Sequence, residues 1–267
     1  MKTPNIIDLL LKADIRFFQI FVMILLLLFG VLWKDFSIYP VQILLTFFGG
    51  LFAQFLAIKL IKIENVGYHS AIITCFGLSL LFRSDNFWTH PFVAFLCISS
   101  KFIIRVNNKH IFNPAMLGII TGINLLPGSW VSPGQWGYEF INALWLLLIG
   151  FIVASRAKSY LTSLSFLFFY ALFLLIRTVY FGYHWDVFFH QFQSGALLVF
   201  TFFMISDPKT SPDHPAAKIL YPAFVAFAAF IWQYYFFYTN NLFYALFFCS
   251  PLVFVLDRFF PHKKFEW

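Results

Sequence analysis

Ten apolar runs, separated by short polar or Pro/Gly breaks, dominate the 267-residue chain. They fall at about 16 to 33, 40 to 61, 66 to 83, 88 to 104, 111 to 126, 139 to 155, 161 to 181, 188 to 205, 216 to 236 and 242 to 260. A helix rises 1.5 Å per residue, so roughly 20 apolar residues cross the hydrocarbon layer of a bilayer. Most of these runs reach or approach that length. Pro40, the Asp85-Asn86 pair with Pro91, Pro114, the Pro127 to Gly137 stretch, Gly182 and the Pro208 to Pro215 stretch separate them. The expectation is an all-α integral membrane protein of about ten transmembrane helices, forming a single polytopic domain over residues 1–267.

Composition and charge agree with that reading. Only 11% of residues are charged and 61% are hydrophobic, against about a quarter charged in a soluble domain. The net charge of +7 is dispersed along the chain, which fits membrane orientation better than phosphate binding and argues against nucleic acid. With the N-terminus inside, fifteen of the eighteen Lys and Arg residues fall in inner segments, and only Lys34, Arg83 and Arg177 fall outside. Because basic residues concentrate on the cytoplasmic side, both termini are expected there, in a multi-pass plasma (inner) membrane protein. Residues 1–15 read as a retained, amphipathic cytoplasmic segment with no cleavage site.

Two runs, 88 to 104 and 111 to 126, are short for continuous crossings. Broken or re-entrant helices are expected near Asn113 and Asp207, since irregular backbone survives at membrane depth only inside protein or along a polar cavity. Around Asn113 the sequence reads Lys109-His110-Ile111-Phe112-Asn113-Pro114-Ala115, preceded by Lys101 and Arg105 at helical spacing. Pro114 removes a backbone donor and disfavours helix at Asn113. The Asn113 amide can then face a ligand, or it can simply cap the next helix. The second constellation, Ser206-Asp207-Pro208-Lys209-Thr210-Ser211-Pro212, ends an apolar run. There Asp207 needs a partner or water, and Lys209, Thr210 and Ser211 stand close; a capped, Pro-rich turn is the structural alternative.

Asp85, His90, His184, Asp186 and His190 fit a metal site or relay only loosely, and scattered loop positions explain them more simply. Cys75, Cys97 and Cys249 lack metal-ligand spacing and read as buried thiols. Arg177 is expected to snorkel to the interface, and Gly118 with Gly122 to allow close helix packing. No hydrolase, metalloprotease, phosphate-loop or dinucleotide motif occurs, so no catalytic residue and no metal ligand is assigned.

The stretch from Gly77-Leu78-Ser79-Leu80-Leu81 to Asn113-Pro114-Ala115-Met116-Leu117-Gly118, then Met204-Ile205-Ser206-Asp207-Pro208-Lys209-Thr210-Ser211-Pro212, and the closing Pro251 to Asp257 segment resemble the NqrB/RnfD family. That family comprises the NqrB proteins of sodium-pumping Nqr complexes and the RnfD proteins of Rnf electron-transport complexes. The likeness is read over most of the chain. It implies a ten-helix subunit that binds flavin and helps couple electron flow to sodium or proton movement beside partner subunits. Arg105, Lys109, Asn113, Asp207, Lys209 and Thr210 are the candidate cofactor-binding residues.

One departure alters that expectation. Full-length family members carry a Ser-Gly-Ala-Thr-like site whose threonine holds FMN covalently; here the loop from Leu126 to Gly137 has no such threonine, and Ser194-Gly195-Ala196 is followed by Leu197 in a later helix. Covalent FMN is not expected. A flavin (FMN or riboflavin) held without a covalent bond, another redox partner, or no cofactor are the alternatives. Membrane lipid and other subunits of a redox complex are the expected partners, and self-association is compatible with the same apolar surface. Two further readings compete: a facilitative channel or transporter for a small polar solute or flavin, and a structural anchor acting through Lys263 and Lys264.

Overall fold

The computed structural model describes residues 14–61, 67–107, 109–132, 136 and 139–265. Residues 1–13 of the N-terminal segment expected to be amphipathic, with Lys2 and Lys12, lie outside the described residues, as do Lys62 and most of the loop at 133–138.

Helices dominate, and each of the ten apolar runs corresponds to one helix or to a broken pair. The first half contains α1 (Ile15–Trp33), α2 (Pro40–Ile61), α3 (His69–Leu81), α4 (Thr89–Ile103) and α5 (Pro114–Leu125). The second contains α6 (Phe140–Arg156), α7 (Tyr160–Phe181), α8 (Trp185–Phe192), α9 (Gly195–Phe203), α10 (Ala217–Tyr234), α11 (Asn241–Cys249) and α12 (Leu252–Phe259). Four of these, α1, α2, α7 and α10, are long and apolar enough to cross a membrane. A fifth crossing arises if α11 and α12, bent by 47° at Ser250-Pro251, count as one. The run at 188 to 205 is likewise divided, into α8 and α9.

Two small strand pairs interrupt the helical pattern. In the first, β1 (Phe82–Ser84) pairs antiparallel with β4 (Ser129–Val131), and Arg83 faces Trp130. In the second, β2 (Arg105–Val106) pairs with β3 (Lys109–His110), with Arg105 opposite His110. Asn107 takes φ +51° in the tight connection between them, a conformation Asn tolerates better than most residues. The second pair corrects one expectation. Lys101 and Arg105 do not share a helical face, because α4 ends at Ile103 and Arg105 lies on a strand.

Packing follows the same order in both halves. α2 lies along α4 as α7 lies along α10; α1 packs on α3 as α6 packs on α9; α4 meets α5 as α10 meets α11. Contacts of α5 with α11 and of α1 with α6 join the halves. Small residues set the closest approaches. A Cβ on Gly49 would lie 2.2 Å from the Pro91 carbonyl oxygen, so α2 rests directly on the start of α4. On Gly118 it would lie 2.2 Å from Cys97 Sγ, and on Gly122 2.4 Å from Phe82. Gly118 and Gly122 thus seat α5 against α4 and β1, as their spacing suggested.

Large apolar side chains cover the outside: Phe48, Leu44, Phe168 and Val179 are each more than 60% exposed. Such a surface is at home in lipid rather than in water. Near the end of α7 the Arg177 guanidinium lies 3.9 Å from the Tyr234 ring centre and 4.7 Å from that of Tyr183. Aromatic faces hold this cation at the end of α7.

Candidate functional site

At the start of α5 the sequence leaves little choice. Asn113 is extended (φ −60°, ψ +124°), Pro114 occupies the first helical position, and Asn113 Oδ1 accepts the Met116 amide proton at 3.1 Å. The cap is real, yet it uses only one side of the amide. Asn113 Nδ2 donates to the Met204 carbonyl oxygen and to Asp207 Oδ2, each at 3.3 Å. Asn113 is buried, and the two sequence constellations touch through it, joining the first half of the chain to the second.

Asp207 sits where α9 has ended and the chain turns. Its Oδ1 accepts the Lys209 backbone N–H at 3.0 Å, and its carbonyl oxygen accepts the amides of Thr210 at 3.1 Å and Ser211 at 3.0 Å. The Thr210 hydroxyl reaches that same carbonyl at 3.4 Å. Asp207 therefore organises the turn and presents its carboxylate to Asn113. Lys209 contributes a backbone donor here. Its ammonium donates to the Phe265 carbonyl oxygen at 3.0 Å, tying the C-terminal segment down.

These groups border a cavity of about 60 Å³ between α1, α3, α5, α6 and α9, whose polar walls include Ser70, His110, Asn113, Ser206, Asp207 and Lys209. That volume holds a few water molecules. His110 Nδ1 is buried without a hydrogen-bond partner among the described residues. Behind the wall, the buried Lys101 ammonium donates to the Ser70 carbonyl at 3.0 Å and hydroxyl at 3.2 Å.

Two candidates lie elsewhere. Arg105 is exposed on β2 and does not line the cavity. Lys109 turns away from Asn113 and pairs with Asp213 at 2.9 Å and Asp257 at 2.7 Å. Asp257 also accepts the Asp213 amide, and Asp213 accepts the Phe265 amide. This triad fastens β3, the turn after α9, α12 and the C-terminal segment together. Sequence reading singled out neither Asp213 nor its partnership with Asp257. A signal for the layout exists: Ser84-Asp85 is followed by His90-Pro91, and Ser206-Asp207 by His214-Pro215, at matching places in the two halves.

The other end of the bundle carries His90, which is helical and 2% exposed rather than a loop residue. Its ring stands edge-on to Phe82, and Nδ1 lies 3.5 Å from Thr46 Oγ1. His184 and Asp186 pair with each other at the exposed start of α8. Among the described residues no three His, Cys, Asp or Glu side chains gather as metal ligands. Cys75 and Cys97 are buried free thiols and Cys249 is half-buried.

The model of the NQR2, RnfD, RnfE family matches residues 123–266, more than half of the chain. The chain belongs to that family. Its members are membrane subunits of electron-transport and ion-translocating complexes. The match holds the Asp207 turn, the Lys209 contact and the Asp213–Asp257 pair, but it begins after Asn113, so it covers less of the chain than the motif likeness does. Asn113 is tied to the matched part by its bonds to Met204 and Asp207. No curated protein matches the chain in sequence.

Proposed function

We propose that this chain is a membrane subunit of an electron-transport complex, in which the Asn113–Asp207 contact forms a constriction on the path of a small cation. The observation that carries this reading is the position of that contact: an amide and a carboxylate from opposite halves of the chain meet at a small polar cavity inside an apolar bundle. A carboxylate in such surroundings is costly unless partnered, and in membrane proteins it marks an ion or proton pathway by default. The short α5, about 18 Å long at 1.5 Å per residue, opens toward the contact as a half-helix does in transporters.

The ten apolar segments act as full or partial crossings, and the basic-residue bias puts the Asp207 end and both termini on the cytoplasmic side of the plasma membrane. Lipid covers the aromatic exterior, and partner subunits of the complex bring the electrons; a second copy could share the same apolar surface. The residues at the cavity do not suit a flavin. At about 60 Å³ the space is far below the roughly 300–1,000 Å³ of pockets that enclose such ligands, and Arg105 and Lys109 face other surroundings. A flavin carried by this subunit would sit outside this cavity, without a covalent bond, against a partner.

Vesicle experiments separate this reading from a free-standing solute channel. Vesicles holding the complex should accumulate cation only when an electron donor is supplied, and vesicles holding this chain alone should accumulate none. Uptake by the chain alone, independent of electron donor, would show a facilitative transporter instead.

A further inference from the structure

A second polar site lies at the far end of α9 from Asp207. There α7, α8, the start of α9, α10 and α11 border a cleft of about 300 Å³. One side is a chain of uncharged hydrogen-bonding groups. The Tyr170 hydroxyl donates to Gln233 Oε1 at 2.6 Å, and Asn241 Nδ2 donates to the same oxygen at 3.2 Å and to the Ala229 carbonyl at 3.1 Å. Gln233 Nε2 in turn donates to Gln191 Oε1 at 3.3 Å.

This chain has a direction. Two donors fill Gln233 Oε1, so its Nε2 must face Gln191, and Gln191 must present its oxygen to that bond. Gln191 Nε2 is left over as a donor, while Asn241, with its nitrogen committed twice, keeps Oδ1 as an acceptor. The hydroxyls of Ser194 and Thr239, also on the wall, make no hydrogen bond to the described residues. Among the described residues, no Asp, Glu, Lys, Arg or His lines the cleft.

Helix-to-helix bonding accounts for Tyr170, Gln233 and Asn241, which are ordinary adhesives between membrane helices. It does not account for the cleft beside them, nor for the spare donors and acceptor carried by the residues that line it. We propose that this cleft binds the uncharged carboxamide-type group of a small molecule. The ligand carbonyl accepts from Gln191 Nε2 and the Ser194 and Thr239 hydroxyls, and its N–H donates to Asn241 Oδ1. With no ionised side chain on the described wall, a charged isostere would lose its hydration without compensation. The assignment is independent of the cation path at Asp207.

The test uses acetamide, acetate and ethylammonium as probes of similar size, with saturation-transfer NMR on the full chain in lipid nanodiscs. Acetamide should bind at least tenfold better than either ion. Gln191→Leu should weaken acetamide about tenfold, the cost of one lost hydrogen bond at the upper end of its range, with an unchanged elution profile. If Gln191→Leu does not assemble, Ser194→Ala removes an unbonded hydroxyl and should weaken acetamide in the same direction. Equal signals from all three probes, glycerol binding as tightly as acetamide, or acetamide binding untouched by either variant would overturn the proposal.

Discussion

Asn113 performs two jobs with one side chain, and substitutions can separate them. Serine is a good helix cap but cannot bridge, so Asn113→Ser should keep the Met116 bond and lose the bonds to Met204 and Asp207. Hydrogen bonds to charged groups contribute about 1.5–3 kcal/mol, and a loss of roughly 2 kcal/mol follows. Asn113→Ala also removes the cap, about 1 kcal/mol more, for a total near 3 kcal/mol. Asn113→Asp retains the cap but sets a carboxylate against Asp207, where the present separation is 3.3 Å. Adding Asp207→Asn to it swaps amide and carboxylate and should recover most of the loss. The assay is thermal unfolding in mild detergent with a maleimide dye that fluoresces on reaching Cys75 and Cys97, both buried. The expected order is wild type, then Asn113→Ser, then Asn113→Ala, with the swapped pair more stable than Asn113→Asp alone. If the swap leaves Asn113→Asp no better, the two side chains do not act on each other and the bridge is refuted.

Three further outcomes are expected. Gly118→Ala drives a methyl group into Cys97 Sγ and should destabilise by about 1–3 kcal/mol, as Gly49→Ala should against the Pro91 carbonyl; the same dye melt reads both, and an unchanged melting temperature would show that α4 yields freely. Lys109→Met strands two carboxylates of which Asp213 is 8% and Asp257 24% exposed, costing about 3 kcal/mol, and the melt should recover in part when Asp257→Asn is added. At the other end, Lys34 donates to Glu139 at 2.9 Å and Asn142 donates to its second oxygen at 2.7 Å. Lys34 foremost, then the backbone and Asn142, hold the Glu139 carboxyl below its ordinary value. A depressed acid stabilises the fold above its unfolded pKa, and that contribution is lost as pH falls through the folded value. The melting difference between wild type and Glu139→Gln should thus hold from pH 7 to about 5 and fade below the ordinary carboxylate pKa of about 4.3; a difference that persists in strong acid would exclude the ion pair as its cause.

The helices were legible because lipid imposes a simple rule: the apolar run and the helix coincide within about three residues for α2, α4, α5, α6, α7 and α10. The breaks were harder to read. Ser194-Gly195 and Ser250-Pro251 fall inside the apolar runs at 188 to 205 and 242 to 260, yet there the backbone divides α8 from α9 and bends α12 from α11, because a pair of small residues scarcely interrupts an apolar run. At the site, Asn113 and Asp207 stood out as polar residues beside prolines. Their contact could not be read, since 94 positions separate them and no local pattern records a tertiary bond. Lys109 misled for a related reason. Its charge pointed to an anion, and its anions proved to be Asp213 and Asp257, 104 and 148 positions away. The polar chain from Tyr170 to Asn241 left no trace at all, since single Gln and Asn residues in apolar helices match no motif.

The most direct test of the cation path is the ratio of charge moved to electrons transferred by the complex in inverted membrane vesicles, compared between wild type and Asp207→Asn. Asparagine preserves the size of the side chain but not its charge, so electron transfer should continue while the ratio falls at least tenfold. An unchanged ratio would contradict the account and leave Asp207 as the organiser of a turn.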